Sequence, residues 1–212
     1  MRPLWAAVPV KALDHAKQRL GDRLPPSTRR ALALAMVEDV LAALGKVHAL
    51  GGIAVLTLDP DASALAARFG AEIWQQDAGI GHTEAVAAAA RRLRQQGCAM
   101  VTIPGDIPLV TAADIARIIA AAPAPPAFVA VPARDRCGTN AVLCDPADAV
   151  PLRFGGDSFS AHLAAARAGG IEPVVLDLPR IALDIDTGAD LDLFLAQRSD
   201  TRAQAVLDRV RA

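Results

Sequence analysis

The chain has 212 residues, of which 53% are hydrophobic, 21% are charged and 3% are aromatic, and its formal net charge is −1. A chain of this length buries roughly 70% of its unfolded surface, so we expect one domain over residues 1–212 whose core needs no disulfide or structural metal. No stripe of lysine and arginine is interleaved with aromatic residues, which argues against a nucleic-acid partner. A small anionic ligand stays compatible, because it needs only a local basic pocket.

The three cysteines, Cys98, Cys137 and Cys144, form no C-x-x-C pair and are odd in number. This pattern argues against a disulfide framework and against a structural zinc site, and it favours a reducing compartment. No apolar run reaches the roughly 18 residues needed to span a bilayer, and none resembles a signal peptide. We therefore expect a cytoplasmic protein without a membrane partner.

Predicted strands and helices alternate through the first half of the chain. Strands are predicted at Leu4–Val10, Gly52–Leu58 and Ala71–Trp74, with one helix that Ser27 caps and that continues to Gly45, and a second at Asp61–Phe69. This alternation predicts βαβ units and therefore an α/β fold with a mostly parallel sheet and helices on both faces.

The loop after the first strand carries three cations within nine positions, Lys11, Lys17 and Arg19. These cations are suited to neutralising the charge of a polyphosphate. An equally good interpretation is a basic loop that is simply solvated. The sequence contains no G-x-x-x-x-G-K-[ST] motif, so we do not expect a P-loop NTPase.

A second candidate anion-binding loop contains Gly79 and Gly81 and precedes a helix predicted from Thr83 to Gln96. Glycines before a helix N-terminus form anion-binding loops, but ordinary turns also use glycine freely. The sequence leaves both readings open.

Asp106 directly follows the predicted central strand Cys98–Ile103, which Pro104 and Gly105 end. Ligands of open α/β sheets bind beyond the carboxyl ends of the strands, so Asp106 is a candidate catalytic residue. Thr111 and Asp114 form a predicted capping box for the next helix, which runs to about Ala121, so Asp106 is not needed as a cap.

The second half of the chain continues the alternation. Strands are predicted at Phe128–Val131, Ala141–Cys144 and Val174–Leu178, with a helix after Phe159 that ends at Gly169, a helix at Ala189–Gln197 that Thr187 and Asp190 start with a capping box, and a terminal helix over Asp200–Ala212. The apolar run from Ile181 ends in a second pair of carboxylates, Asp184 and Asp186.

Asp106, Asp184 and Asp186 follow or end apolar runs that we expect to be neighbours in one sheet. Carboxylates that meet at a sheet edge suit Mg²⁺, which takes one or two of them together with phosphate oxygens and water. In the alternative interpretation, Asp186 helps to start the following helix and Asp184 only lies at the end of a strand.

Thr139 with Asn140, and Gly155 with Ser158, offer hydroxyl and backbone N–H groups that suit a phosphate or carboxylate. Ser158 is also expected to be the N-cap of its helix, and the two roles are compatible. His162 lies one helical turn after Ser158, where either a packing role or a functional role is possible.

These motifs, in this order, resemble the guanylyltransferases of coenzyme F-420 biosynthesis. That family comprises 2-phospho-L-lactate guanylyltransferase and its phosphoenolpyruvate- and 3-phosphoglycerate-using relatives. The matching stretches cover nearly the whole chain and are V-P-V-K (8–11), A-K-x-R-L (16–20), A-M-V-E-D-V-L (35–41), G-D-I-P-L (105–109), C-G-T-N-A-V-L (137–143), F-G-G-D-S-F (154–159) and L-D-I-D-T-G-A-D-L (183–191). At 81–83 the chain has Gly-His-Thr where the family commonly shows G-L-N.

The resemblance implies a single-domain, three-layer, Rossmann-like nucleotidyltransferase fold and the transfer of GMP from GTP to a phosphorylated three-carbon acid. It implies a Mg²⁺ cofactor bound by Asp106, Asp184 and Asp186, and contacts of Thr139, Gly155 and Ser158 to the acid. The catalytic residues are then Lys11, Lys17 and Asp106. The nucleotide-binding residues are Val10, Lys11, Gly79, Gly81, Thr83 and Asp106.

Two other readings remain open. A related nucleotidyltransferase would use another acceptor, of the molybdopterin or sugar-phosphate type, and a non-catalytic module would bind the nucleotide without releasing pyrophosphate. A dehydrogenase is disfavoured, because no G-x-G-x-x-G follows the first strand. The sequence does not distinguish a monomer from a homodimer.

Overall fold

We describe residues 2–75 and 81–211 of a computed structural model, without the side chains of His15 and Arg211. The strands are β1 (Leu4–Pro9), β2 (Leu50–Leu56), β3 (Glu72–Trp74), β4 (Ala99–Thr102), β5 (Ala127–Pro132), β6 (Thr139–Asp145) and β7 (Val174–Val175). The helices are α1 (Pro26–Leu44), α2 (Pro60–Arg68), α3 (His82–Gln95), α4 (Ala112–Ala120), α5 (Ser158–Ala168), α6 (Pro179–Ala182), α7 (Gly188–Ala196) and α8 (Arg202–Arg211). Two short 3-10 turns, Leu13–His15 and Gln18–Leu20, lie between β1 and α1.

The strands of the described residues form one sheet in the order β3-β2-β1-β4-β6-β5-β7. The first four strands in this order are parallel, and β6 is antiparallel to both of its neighbours. β6 runs back along β5 because a tight loop joins them, in which the backbone N–H of Ala133 donates to the carbonyl of Gly138 (2.9 Å). The predicted α/β fold with a mostly parallel sheet is confirmed.

The core lies on both faces of the sheet. Successive residues of β4 point to opposite faces, so Val101 joins the core beneath α1, α4 and α7, whereas Met100 joins the core beneath α3 and α5. All four residues of β4 are buried. This central position fixes the loop that follows β4, on which Asp106 lies.

Both capping boxes are confirmed, since Thr111 and Thr187 each accept the backbone N–H of the aspartate three residues later. The predicted N-cap at Ser27 is wrong, because α1 begins at Pro26 and Pro25 occupies the N-cap position. Proline is favoured at the first helical position, since its φ is preset and it has no N–H to leave unpaired.

The apolar run from Ile181 to Ile185 is not a strand of the sheet. Pro179 starts the short helix α6, and Ile181 and Ile185 are completely buried beside the sheet. The predicted strand Val174–Leu178 is reduced to Val174–Val175. Burial of apolar side chains is possible in either conformation, so the hydrophobic run alone does not distinguish them. Among the described helices, none is both long enough and apolar enough to cross a membrane.

Candidate active site

Two adjoining cavities open at the carboxyl end of β1 and β4, with volumes of about 540 Å³ and about 510 Å³. They share a boundary of five residues: Lys11, His82, Pro104, Asp106 and Asp186. This is the edge at which open α/β sheets bind ligands. Asp106 therefore lies between two compartments of one site.

The two cavities differ in chemistry. The first, here the apolar cavity, has a wall of mostly hydrophobic residues: Val10, Ala12, Leu13, Ala33, Met36 and Val37. The second, here the polar cavity, is bounded mostly by groups that donate or accept hydrogen bonds: Arg19, Arg134, Thr139, Asn140, Gly155, Ser158 and Asp184. An apolar wall suits the planar base and the sugar of a nucleotide, whereas the polar wall suits a small anion.

Lys17 lines the apolar cavity and bridges two carboxylates of the boundary. Its Nζ lies 2.7 Å from Oδ2 of Asp106 and 2.6 Å from Oδ1 of Asp186, and only 9% of its side chain is exposed. Burial by itself lowers the pKa of the ammonium, but the charges of the two carboxylates outweigh burial and raise the pKa above its ordinary value. Lys17 therefore stays protonated and draws two acidic groups to one point.

The position of Lys17 depends on how its loop is held. Lys17 adopts a left-handed backbone conformation (φ 54°) at the start of a 3-10 turn. Further back, the backbone N–H of Leu13 donates to Oδ2 of Asp59 (2.9 Å), while Oδ1 of Asp59 caps α2 by accepting from Asp61 and Ala62 (3.0 Å each).

Asp59 is thus a positioning residue that the sequence analysis missed. Burial alone raises the pKa of its carboxyl group, but three backbone N–H donors outweigh burial and lower the pKa. The D-P-D sequence at 59–61 signals a helix cap, and only the fold shows that the same side chain reaches the basic loop.

Asp184 lies on the other side of the same edge. Asn140 donates from Nδ2 to Oδ1 of Asp184 (3.0 Å) and to the carbonyl of Ile181 (2.9 Å), which holds the carboxylate in place. Burial raises the pKa of Asp184, and the charges of Asp106 and Asp186 raise it further. The backbone N–H of Ile185 donates a hydrogen bond to the carbonyl of Asp106 (3.1 Å), which connects the Asp184–Asp186 segment to the loop that carries Asp106.

The expected convergence of Asp106, Asp184 and Asp186 is therefore observed. Within residues 2–75 and 81–211, no three carboxylate, imidazole or thiol side chains form a ready-made metal cage. Mg²⁺ does not require such a cage, because it uses one or two carboxylates and completes its shell with substrate phosphates and water. The carboxylate oxygens of Asp106, Asp184 and Asp186 are hard donors of the kind that fit such an ion.

The residues assigned to the anionic substrate also come together. Thr139, Gly155 and Ser158 all line the polar cavity, and Gly155 has a φ of +107°, a conformation that side chains disfavour. Ser158 is not the predicted N-cap, since α5 begins at Ser158 and Asp157 precedes it. Its hydroxyl is instead 3.4 Å from Oγ1 of Thr139, which joins the two hydroxyls in one cluster.

The predicted nucleotide-binding loop comprises Gly79, Gly81 and Thr83. Gly79 lies outside the described residues, and Gly81 is the N-cap of α3. Thr83 faces a neighbouring loop, where its Oγ1 accepts the backbone N–H of Phe154 (2.9 Å). His82 lies on the boundary between the two cavities. Burial lowers the pKa of its imidazole, and the charge of Lys11 lowers it further.

The free cations lie near the mouth of the site. Lys11 and Arg19 are exposed and line the polar cavity, and neither forms an ion pair within the part of the chain that the structure describes. Val10, also assigned to the nucleotide, is buried in the apolar wall. Lys11 and Arg19 are therefore available to a phosphorylated ligand, whereas the ammonium of Lys17 already bridges two carboxylates.

Comparison with solved structures shows a nucleotidyltransferase-like fold. A candidate nucleotide-diphospho-sugar transferase from Desulfovibrio desulfuricans G20 superposes with a TM-score of 0.78 at 19% identity, over 99% of this chain and 95% of that chain. A nucleotidyl transferase from Methanothermobacter superposes with a TM-score of 0.64 at 16% identity, over 92% of this chain and 99% of that chain.

Curated relatives are similar in sequence over most of their length. A phosphoenolpyruvate guanylyltransferase from Rubrobacter xylanophilus is 38% identical over 191 residues, which cover 89% of this chain and 91% of the relative. One from Roseiflexus sp. is 37% identical, with 95% and 89% covered, and one from Mycobacterium leprae is 38% identical, with 87% and 84% covered.

A family model described as "Guanylyl transferase CofC like" matches residues 4–212. The match includes the stretches that carry Lys17, Asp106 and the Asp184–Asp186 segment, which the fold brings to one edge of the sheet. The chain is therefore a nucleotidyltransferase that belongs to the CofC-like guanylyl transferase family.

Proposed function

We propose that this guanylyltransferase moves GMP from GTP to the phosphate of a three-carbon phospho-acid, with release of pyrophosphate, in coenzyme F-420 biosynthesis. The observation that carries the proposal is that Asp106 and Asp186, which the ammonium of Lys17 bridges, lie on the boundary between an apolar and a polar cavity. The guanosine lies in the apolar cavity, the acid lies in the polar cavity, and the reacting phosphates meet above Asp106.

In the proposed reaction, a phosphate oxygen of the acid attacks the α-phosphorus of GTP. A new P–O bond forms, the bond from the α-phosphorus to the bridging oxygen of the β-phosphate breaks, and that oxygen leaves with pyrophosphate. The attacking phosphate is already ionised near neutral pH, so the reaction needs no general base. Positioning and charge stabilisation then account for the catalysis.

The cations of the chain divide this work. Lys11 and Arg19, exposed beside the polar cavity, bind phosphate oxygens, and Lys17 offsets charge next to Asp106 and Asp186. Asp106, Asp184 and Asp186 are the residues that would hold Mg²⁺. When bound, Mg²⁺ supplies Lewis-acid stabilisation of the charge that develops on the phosphates.

Phosphoenolpyruvate is the acceptor that we propose first, because the curated relatives compared above bear its name. 2-Phospho-L-lactate and 3-phospho-D-glycerate are the competing acceptors. They differ from phosphoenolpyruvate only in small groups and in the position of the phosphate, which the shape of the polar cavity discriminates.

The test is a competition assay on the purified chain with Mg²⁺. Each of GTP, ATP, CTP and UTP is incubated with an equal mixture of the three acids, pyrophosphate is measured, and the products are identified by mass. We expect pyrophosphate release with GTP and not with the other three nucleotides. The product should be a guanylylated acid, with phosphoenolpyruvate as the preferred acceptor.

Other results of this assay would contradict the proposal. Pyrophosphate release from CTP or UTP in preference to GTP would indicate a different nucleotidyltransferase. No pyrophosphate release from GTP with any of the three acids, together with GTP binding in a separate binding measurement, would indicate a binding module.

A further inference from the structure

His162 lies at the centre of three segments that surround the polar cavity. It is completely buried on α5, and its Nδ1 lies 3.1 Å from Oγ1 of Thr139 at the start of β6. Its Nε2 accepts the backbone N–H of Arg153 (2.8 Å), at the start of the loop that carries Gly155. One imidazole thus contacts the strand and the loop that supply two of the substrate-binding residues.

The bond from Arg153 determines the tautomer of His162. A backbone N–H only donates, so Nε2 must be the unprotonated nitrogen that accepts it. Burial lowers the pKa of His162 to about 4, which keeps the ring neutral at neutral pH. The single ring proton therefore lies on Nδ1, and Nδ1–H donates to Oγ1 of Thr139.

This bond in turn sets the polarity of the threonine hydroxyl. An sp³ oxygen accepts through two lone pairs and donates one hydrogen. Oγ1 of Thr139 accepts from Nδ1–H of His162 and, at the longer distance of 3.4 Å, from Oγ of Ser158. Its own hydrogen has no acceptor among the hydrogen bonds of the described residues. Since Thr139 lines the polar cavity, that hydrogen is left for a ligand there.

The loop between Arg153 and Gly156 is held by the same imidazole. The ring of Phe154 packs edge-on against His162 with centroids 5.1 Å apart, and its backbone N–H donates to Oγ1 of Thr83 (2.9 Å). These contacts hold the loop in which Gly155 lines the cavity with a positive φ of +107°. A change at His162 therefore reaches both the hydroxyl and the loop.

We infer that His162 is a positioning residue for the acceptor acid: it orients the Thr139 hydroxyl as a hydrogen-bond donor into the polar cavity and anchors the loop that carries Gly155. This inference rests on the proposed function, which places an anionic acid in that cavity. A donor hydroxyl attracts an anionic oxygen, whereas a hydroxyl turned to accept would repel it. His162 itself stays buried and does not touch the substrate.

The test compares two substitutions that each keep one ring nitrogen's role. The amide of Asn in His162→Asn lies near the position of Nδ1 and keeps a donor for Thr139, whereas the amide oxygen of Gln in His162→Gln reaches the position of Nε2 and accepts from Arg153. We expect His162→Gln to raise KM for phosphoenolpyruvate about 10- to 100-fold, the effect of losing one hydrogen bond to a charged group, with KM for GTP within about twofold. We expect His162→Asn to recover most of that loss.

A double-mutant cycle with Thr139→Val separates orientation from general structural damage. If His162 acts through the hydroxyl, His162→Gln adds less than about twofold to KM in the Thr139→Val background, because coupled residues are not additive. The matched control is Arg167→Gln on the same helix, an exposed residue paired with Glu172, for which we expect wild-type kinetics. Multiplied effects in the cycle, or an unchanged KM in His162→Gln, would overturn the inference.

Calorimetry measures the binding of phosphoenolpyruvate to each variant, so it tests the role of His162 independently of turnover. If the wild-type chain binds the acid but forms no product, the proposed function fails, while weaker binding to His162→Gln than to His162→Asn still supports the role of His162. Equal binding to the wild-type chain and both variants overturns the inference, whatever the turnover. If His162→Gln does not fold, Thr139→Val and His162→Asn carry the same comparison, and wild-type binding by Thr139→Val counts against it.

Discussion

Nζ of Lys17 lies 2.7 Å from Oδ2 of Asp106, although the two residues are 89 positions apart in the chain. The same ammonium is 2.6 Å from Asp186. Three segments with no local relationship therefore meet at one buried cation, and the basic loop is anchored to the strand end that carries Asp106. Because the two carboxylates would otherwise repel each other, Lys17 makes their convergence stable in the free protein.

Replacing Lys17 tests this electrostatic role. We expect Lys17→Met to lower the free energy of unfolding by about 1–2 kcal/mol, since the carboxylates of the bridge keep part of their solvation. We also expect added Mg²⁺ to raise the melting temperature of Lys17→Met more than that of the wild type, because a cation relieves the same repulsion. Thermal denaturation with and without Mg²⁺ measures both effects.

The control for this experiment is Lys46→Met, which removes an exposed lysine away from the two cavities. Its melting temperature and its response to Mg²⁺ should equal those of the wild type. A Lys17→Met chain that is as stable as the wild type, with no extra response to Mg²⁺, would contradict the proposed role of the bridge.

Asp106 is expected to matter for the reaction far more than for the fold. Its side chain is 29% exposed and lies on the loop after β4, so Asp106→Asn should change the melting temperature by no more than a few degrees. We expect kcat to fall by about 10²–10³-fold, the usual cost of removing one preorganised charge-stabilising group. Pyrophosphate release measures the rate. Asp177→Asn, which removes an exposed carboxylate paired with Arg136, is the matched control, and wild-type turnover by Asp106→Asn would refute the assignment.

Asp59 is expected to affect both stability and nucleotide binding. Asp59→Ala removes the cap of α2 and leaves the N–H of Leu13 without its acceptor, so the free energy of unfolding should fall by about 2–3 kcal/mol. Because Leu13 lies in the basic loop, KM for GTP should rise as well. Urea denaturation and initial rates measure the two effects.

Asp61→Ala is the comparison for Asp59, because Asp61 is an exposed partner of Arg30 on the same helix turn. We expect only a small loss of stability and an unchanged KM for GTP in this variant. Equal effects of the two substitutions would show that Asp59 does not position the loop.

The buried imidazole of His162 gives the fold a defined sensitivity to acid. Burial lowers its pKa to about 4, whereas a histidine of the unfolded chain titrates near 6.5. Below pH 6.5 the unfolded chain therefore takes up a proton that the folded chain does not, so its contribution to stability is complete above pH 6.5 and is lost as the pH falls towards 4.

Comparing the wild type with His162→Asn isolates this contribution. Between pH 7 and pH 4 the wild type should lose about 2–3 kcal/mol more free energy of unfolding than the variant, whose amide does not titrate. Urea denaturation at a series of pH values measures the difference. Parallel curves for the two proteins would show that His162 is charged in the folded state or is not buried.

Features that depend on neighbours in sequence were predictable. The capping boxes at Thr111 and Thr187 each close within four residues, and the alternation of apolar runs with helix signals was sufficient to predict the α/β fold. The position of Asp106 beyond a buried strand followed from Pro104 and Gly105, and the order of the motifs indicated the family. Local hydrogen bonds and side-chain periodicity determine all of these features, so the sequence alone carries them.

Features that depend on contacts between distant segments needed the tertiary structure. The sequence pattern predicted that Lys17 lies near phosphates, but not that it bridges Asp106 and Asp186. The apolar run at Ile181 predicted a strand of the sheet, whereas Ile181 lies in the short helix α6. The proposed role of His162 likewise depends on Thr139 and Arg153 approaching from two other elements. The physical reason is that a charge pair or a buried ring nitrogen acquires its partner only when the core has packed, and sequence spacing does not encode that distance.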